Sequence, residues 1–445
     1  MLKDSLVGKM IGIKHTTVDG MRLHLRRDEK NLLWINSLHL LVLNDTAADY
    51  VECYIDQMNF HTQTGSAESD RIAESEILKK VSSMMSSKYK ISEDIATKDF
   101  HRVIGSITDI AHGKCPVEDL GLTLEDMEVN KWSAPSRMDL ALTYRCNNNC
   151  YFCYMGGPQK TEELTKEQWG LVLDKLWASG VPQVVFTGGE PTLREDLGYI
   201  VNHSKNFVTG LITNGRKLDK FLCAELKKSS LDYMQVTIES ADASIHDEMT
   251  RILGSWMETQ RGVATALDRG LQVVTNTTLM KENSSEDSIG LLMTFLKGVG
   301  IRTMSFNSLI CSGRGTSCKG KSNLTEKELT RALKIVLRES QRTSMEVQWY
   351  TPTCYKKLNP VELGFGVKNC SAAKFNMTVE PNGRVIPCQS WIHEDCGNIL
   401  KDDWKTIWNS KVTKKARDSH TGEECHGCEF ILSCEGSCPL DRGIK

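Results

Sequence analysis

From residue 137 onward, apolar positions along the 445-residue chain switch between a period of two and a period near 3.6. Met138, Leu140, Leu142 and Tyr144 alternate with Asp139, Ala141 and Thr143, which predicts a strand. Thr165 and Gln168 then form a capping box for a helix whose Trp169, Val172, Leu173, Leu176 and Trp177 make one apolar face, closed by Gly180. The rhythm repeats, with strands expected at 183–187, 207–213, 233–239, 272–279 and 303–307 and helices near 219–228, 257–269, 288–297 and 326–338. Six such units predict an α/β fold with a partial (β/α)6 TIM-type barrel over residues 137–345, whose working groups gather at the C-terminal ends of the strands.

The pattern differs on either side. Residues 1–112 open with strand-like runs at 21–25 and 32–35, followed by helical segments, the first starting at an Asn44-Asp45-Thr46 N-cap and the others near 74–86 and 98–110. Residues 113–136, with Gly113, Pro116, Gly121 and Pro135, read as a bridging linker that carries Cys115. Between 346 and 445 the segments are short, and 375–379 and 384–387 around Pro381-Asn382-Gly383 predict a hairpin.

Charge narrows the partners. With 55 basic and 57 acidic residues and a net charge of -2, the totals suggest neither a nucleic-acid footprint nor an acidic tail. No basic segment followed by an apolar one opens the sequence, and the apolar stretch at 32–43 is broken by Asn36, Ser37 and His39. A soluble cytoplasmic protein with no membrane partner is expected. Sixteen cysteines in a chain this long, without a secretory signal, fit metal ligation better than a disulfide framework.

The chemistry concentrates at the predicted strand ends. The first ends in Cys146, Cys150 and Cys153, a C-x3-C-x2-C loop one thiolate short of closing a [4Fe–4S] cube or a tetrahedral zinc site. The second ends in Gly188-Gly189-Glu190-Pro191, the third in Thr213-Asn214-Gly215, and the fourth holds Thr237, Glu239 and Ser240. Alone, Gly-Gly-Glu-Pro is no more than a turn. Thr237 and Glu239 could be polar residues at a barrel mouth, and Arg251 a solvated helix end.

Taken together, these motifs resemble the radical S-adenosylmethionine (SAM) enzymes over roughly 137–342. In that family three thiolates hold a [4Fe–4S] cluster and SAM chelates the fourth iron. The resemblance implies Phe152 against the adenine, Gly188, Gly189 and Glu190 at the methionine ammonium, and Thr213, Thr237 and Glu239 near the ribose and sulfonium. It also implies Arg251 on the methionine carboxylate and Asn276 as a further cofactor contact. Glu239-Ser240 stands where many relatives carry Asp-Gly.

Two further resemblances complete the picture. Gly383 to Cys388 as G-x4-C, with Cys425, Cys428, Cys434 and Cys438 spaced C-x2-C-x5-C-x3-C, is similar to the SPASM extension, which holds two auxiliary iron–sulfur clusters; a zinc ribbon is the alternative. Counting ligands assigns Cys370, Cys388 and Cys438 to one cluster, with Cys354 as a possible fourth ligand. Cys425, Cys428 and Cys434 fall to the other, which Cys115 is a candidate to complete. The strands-then-helices order of residues 1–112, with Leu43-Asn44-Asp45-Thr46-Ala47-Ala48, resembles the winged-helix-like RiPP recognition element, which binds a leader peptide at a sheet edge.

The implied activity is modification of a ribosomal precursor peptide through a 5′-deoxyadenosyl radical, with three [4Fe–4S] clusters, SAM, and a flavodoxin- or ferredoxin-type electron donor. A thioether from cysteine sulfur to carbon is the first expectation. Carbon–carbon or carbon–oxygen crosslinking, formylglycine-type maturation of a partner protein, and a zinc-loaded binding protein without catalysis are the alternatives.

Overall fold

The computed structural model describes residues 12–18, 21–27, 31–35, 39–64, 70–111, 132–229, 231–418 and 422–443. Cys115 lies outside them, as does most of the linker. The chain divides into two compact units, Met1–Ala134 with Leu176–Pro182, and Pro135–Lys175 with Gln183–Lys445.

The first unit begins with an antiparallel meander, β1 (Gly12–Val18), β2 (Met21–Arg27), β3 (Asn31–Ile35) and β4 (His39–Leu43), paired in that order. Helices α1 (Asp45–Thr64), α2 (Asp70–Tyr89) and α3 (Glu93–Ala111) follow. Leu23 and Leu25 stand opposite Ile35 and Leu33, so one face of the sheet is apolar and packs into the core with Val51 and Ile55 of α1, Val81 of α2 and Ile107 of α3. Asn44 Oδ1 accepts the Ala47 N–H at 2.8 Å and caps α1 as its sequence predicts. The sequence gives two of the four strands. Among the described residues β1 and β4 are each hydrogen-bonded to one neighbouring strand, which leaves both sheet edges open.

The second unit is a ten-stranded sheet. Its elements are β5 (Arg137–Thr143), α4 (Lys166–Ala178), β6 (Gln183–Gly188), α5 (Leu197–His203), β7 (Val208–Thr213), α6 (Lys220–Lys228), β8 (Tyr233–Thr237), α7 (Ala243–Thr250), α8 (Ser255–Asp268), β9 (Val273–Leu279) and α9 (Glu286–Gly298). After these come β10 (Thr303–Ser308), α10 (Gly315–Cys318), α11 (Glu326–Thr343), β11 (Glu346–Trp349), β12 (Asn376–Val379), β13 (Arg384–Ile386), β14 (Gly397–Asn398), α12 (Trp404–Trp408), α13 (Lys411–Asp418) and α14 (Ile431–Cys434).

Strands β5 to β11 are parallel neighbours in sequence order, the arrangement of a partial barrel. Six βα units account for β5 to β10; β11, four residues long, extends the parallel run by one strand. On the other flank β12 pairs in parallel with β5, and the β12–β13 hairpin forms where the Pro-Asn-Gly turn predicts it. Met138, Leu140 and Leu142 are fully buried on one face of β5. The opposite face is polar and hydrogen-bonded, within β5 by Arg137 Nε to Asp139 at 2.7 Å and across strands by Gln183 to Tyr233 at 2.9 Å and Ser305 to Asn276 at 2.9 Å. No helix among the described residues is long and apolar enough to cross a membrane.

Candidate functional site

The three-cysteine loop leaves the end of β5 at a bulge, where register shifts between Ala141 and Thr143 against β6. Gly188 holds φ +126°, and a Cβ there would overlap Thr143 O. A Cβ on Gly189 would overlap Arg145 O. The Gly189 N–H donates to Thr143 O at 2.7 Å and the Glu190 N–H to Arg145 O at 2.8 Å. Two glycines thus let the second strand end press its backbone onto the root of the cysteine loop.

Glu190 is fully buried and multiply bonded. Its carboxylate accepts from Thr192 N, Thr192 Oγ1, Thr213 Oγ1 and Asn214 N at 2.6–3.0 Å, which ties the ends of β6 and β7 together. Burial raises its carboxyl from the ordinary range, and these four donors oppose that rise. Asn214 in turn reaches the first cysteine: its Nδ2 lies 3.9 Å from Cys146 Sγ, and the Asn148 N–H donates to the same sulfur at 3.4 Å. Both donors would favour a thiolate.

Burial pushes the Cys146 thiol up to about 12 and the Cys150 thiol well above its usual value, with Cys153 adding to both. A thiol becomes a metal ligand only as the thiolate, so metal binding here releases protons. Among the described residues no three His, Cys, Asp or Glu side chains gather tightly enough for a single metal ion. A four-iron cube, which sets each ligand sulfur on a separate iron, asks for a looser trio.

Two arginines that sequence reading left without a role clamp this loop. Arg216, past the end of β7, donates to Asn147 O and to Asn148 Oδ1 at 2.9 Å, and is itself held by Glu258 at 2.6 Å. Arg314, past the end of β10, donates through Nη1 to Asn149 Oδ1 at 2.6 Å, Asn149 O at 3.0 Å and Cys150 O at 3.2 Å. The C-terminus of α7 supplies a third hold, as Thr250 O accepts the Asn149 N–H at 2.9 Å.

Glu239, two residues past β8, is 1 % exposed. Its Oε2 accepts the Thr278 N–H at 2.8 Å, while Oε1 is buried with no hydrogen-bond partner. The backbone around it is fixed: Asn283 Nδ2 donates to Glu239 O at 2.8 Å and Glu239 N to His246 Nδ1 at 3.2 Å. Burial pushes His246 down to about 4, so this ring is a neutral acceptor.

Burial also holds the Glu239 carboxyl up at about 8, against an ordinary 4.5. Between those values the folded protein keeps a proton that the unfolded chain releases. The corresponding stability is full at low pH and is lost as pH rises toward 8. Melting temperatures measured from about pH 5 to about pH 8 should therefore fall more steeply for the wild type than for Glu239→Gln, which has no proton to lose. Parallel curves would place that proton elsewhere.

The remaining expected residues stand nearby with differing surroundings. Phe152 packs edge-to-face on Tyr151, ring centres 5.3 Å apart, against Met249, Met280, Leu309 and Cys318. Arg251 is exposed, caps α7 with φ +56°, and lies over the Tyr151 ring at 5.8 Å. Thr213 is engaged by Glu190, Asn276 Oδ1 accepts from Ser305, and Thr237 ends β8, half-buried.

Farther along, Cys370, Cys388 and Cys438 form a second trio. Burial raises all three thiols, Cys388 to about 12, and Cys438 feels both partners. The neighbours of Cys354 reach toward both groups: Tyr355 Oη accepts the N–H of Lys368, two residues before Cys370, at 2.7 Å, and Thr353 O lies 3.3 Å from Cys434 Sγ. Cys425 and Cys428 are joined by Cys428 N to Cys425 O at 3.1 Å, and Cys434 follows at the end of α14.

Residues 140–293 match the Radical SAM superfamily and residues 370–429 the iron–sulfur cluster-binding domain SPASM. The chain is 24 % identical over 328 residues to Fe-coproporphyrin III synthase of Methanosarcina barkeri, covering 66 % of this chain and 81 % of that protein. It is 26 % identical over 331 residues to the antilisterial bacteriocin subtilosin biosynthesis protein AlbA of Bacillus subtilis, covering 71 % and 69 %. Streptococcus suis SuiB, solved bound to its precursor peptide SuiA, shares the fold with a TM-score of 0.66 over 93 % of each chain, at 16 % identity.

Proposed function

Because the chain carries a radical SAM domain followed by a SPASM iron–sulfur domain, we propose that it modifies a ribosomally made precursor peptide through a 5′-deoxyadenosyl radical, joining a cysteine sulfur to a carbon of the same peptide. The observation that carries this reading is the half-buried Cys146–Cys150–Cys153 trio at the strand ends, with a buried carboxyl oxygen, Glu239 Oε1, that has no hydrogen-bond partner. SAM bound at the iron that three thiolates leave open supplies the radical when it is reductively cleaved.

The residues fit that cofactor. Glu239 Oε1 suits a ribose hydroxyl, which can accept as well as donate and would give this buried oxygen the partner it lacks. Gly188 and Gly189 keep side chains away from the strand end where the methionine moiety would lie, and Arg251 offers its carboxylate a cation. Asn148 N and Asn214 Nδ2 stabilise the charge on Cys146, a lever on cluster potential. Glu190 fixes Asn214 in place, so its part is to position. Phe152, Thr213, Thr237 and Asn276 complete the cofactor's surroundings in this reading.

The assignment extends to three [4Fe–4S] clusters, with Cys370, Cys388 and Cys438 on the first auxiliary one and Cys425, Cys428 and Cys434 on the second. Cys354 and Cys115 serve as added ligands, and a flavodoxin- or ferredoxin-type protein as electron donor. Residues 1–112 act as the leader-binding domain, 113–136 as the bridge, 137–345 as the radical SAM core and 346–445 as the SPASM domain. Among the described residues no further strand pairs with β1 or β4, which supports a peptide partner rather than a tetrapyrrole, since an extended peptide can add to either edge as a strand.

The test uses a short cysteine-bearing peptide encoded beside the gene. After anaerobic turnover with SAM, its mass should fall by two hydrogens, and a cysteine should no longer react with iodoacetamide. A peptide that loses two hydrogens yet keeps every thiol reactive would favour a carbon–carbon or carbon–oxygen link. An unchanged peptide, with 5′-deoxyadenosine still formed, would sink the peptide reading alone.

A further inference from the structure

The two cysteine trios are joined by contacts that neither cofactor chemistry nor sheet pairing requires. Tyr154, the residue after Cys153, donates its hydroxyl to Oε1 of Gln389, the residue after Cys388, at 3.2 Å. Ser312, on the loop after β10, places its Oγ 2.7 Å from Ser390 O and 3.1 Å from Tyr154 O, so a single proton is shared between the main chains of both cysteine loops. Gly313 holds φ +52°, and a Cβ there would overlap Tyr154 O and Gly156 N, which shows how closely this segment lies on the loop. On either side, Arg314 N donates to Cys153 O at 2.9 Å, and Cys311 N to Asp441 Oδ1 at 3.3 Å, three residues past Cys438.

We propose that Tyr154 is a positioning residue which couples the two thiol sites: through Gln389, and with Ser312 beside it, the Cys153 loop and the Cys388 loop order together, so that filling the second site tightens the first. This rests on the cluster assignments of the proposed function. Both loops lack regular secondary structure, and fixing such backbone has an entropy cost that binding must overcome. When one loop is held by its own cluster, the other is already ordered through Tyr154 and Ser312 and binds with less to lose. Coupling between linked sites typically falls between about 5-fold and about 150-fold.

The experiment is a double-mutant cycle on reconstituted full-length protein. The readout is the rate at which excess chelator removes the EPR signal that changes shape on adding SAM, which reports the Cys146–Cys150–Cys153 site. Cys388→Ser, which disables the second site, should speed that loss about tenfold with Tyr154 and Ser312 intact, and less than about twofold in Tyr154→Phe/Ser312→Ala. Gln389→Leu leaves every ligand in place and should itself speed the loss as much as Tyr154→Phe does, which keeps the test open if Cys388→Ser folds poorly. Equal acceleration in both backgrounds, or a Gln389→Leu protein that behaves as wild type, would overturn the coupling while leaving the cluster assignment standing. A wild-type protein with no SAM-responsive signal would overturn the assignment and the coupling with it.

Discussion

Cys150→Ala should lose about four irons per chain on reconstitution and show no SAM-responsive EPR signal. Burial raises its thiol well above the usual value, and Glu239, Cys153 and Cys146 add to the rise. Two remaining thiolates cannot hold three corners of a cube, and Arg314, which grips Cys150 O, supplies no ligand in its place. Formation of 5′-deoxyadenosine should fall by more than about 100-fold, the upper end of what losing even an outer partner of a metal site costs. Cys434→Ala, at the far end of the chain, should also lose iron but keep the SAM-responsive signal. If Cys150→Ala retained that signal, the loop would not be the cofactor site.

The second large effect falls on a residue with no functional atoms. Gly188→Ala places a Cβ at φ +126°, where an L-residue is strained by about 1–3 kcal/mol, and drives it into Thr143 O as well. The overlap is with backbone, so relief requires β6 to move off the root of the cysteine loop. Gly189 N–H to Thr143 O and Glu190 N–H to Arg145 O would stretch with it. A total loss of about 3 kcal/mol or more is expected in denaturant unfolding, with SAM affinity lost in whatever protein remains folded. Gly298→Ala, where nothing lies within 4 Å of the added carbon and the backbone is helical, is the control and should change neither. Equal stability of the two variants would contradict the close approach of β6 to the loop.

How much of this was legible from the sequence depends on how local the signal is. The strand before the cysteine loop, the capping box at Thr165 and Gln168 and the hairpin around Pro381-Asn382-Gly383 all have their causes within a few residues, and all three form. The Cys146, Cys150 and Cys153 spacing and the Gly188-Gly189-Glu190-Pro191 turn are likewise short-range patterns, and the fold brings their backbones into contact. β1 and β4 escaped because their runs lack a clean alternation, and β11 because four residues are too few to establish a period.

The arginine clamps were illegible for a different reason. Arg216 and Arg314 each sit just beyond a strand end and act across the mouth, 69 and 165 residues from the backbone they hold. No spacing rule links such pairs. Tyr154 and Gln389 are the same case, 235 residues apart yet each next to a cysteine. Glu239 was visible as a strand-end carboxylate, but its perturbed proton comes from burial, which only the packed structure supplies. The histidines gave no pattern because His246 works through one buried ring nitrogen that accepts a backbone N–H.

The central claim is that the trio at the end of β5 holds a cluster that cleaves SAM. Anaerobically reconstituted full-length protein, fully loaded with iron, should be reduced with dithionite and given SAM, and 5′-deoxyadenosine measured by mass spectrometry. The account predicts multiple equivalents of 5′-deoxyadenosine and methionine per chain, and none from Cys150→Ala. A fully loaded wild-type protein that binds SAM but releases no 5′-deoxyadenosine would contradict it.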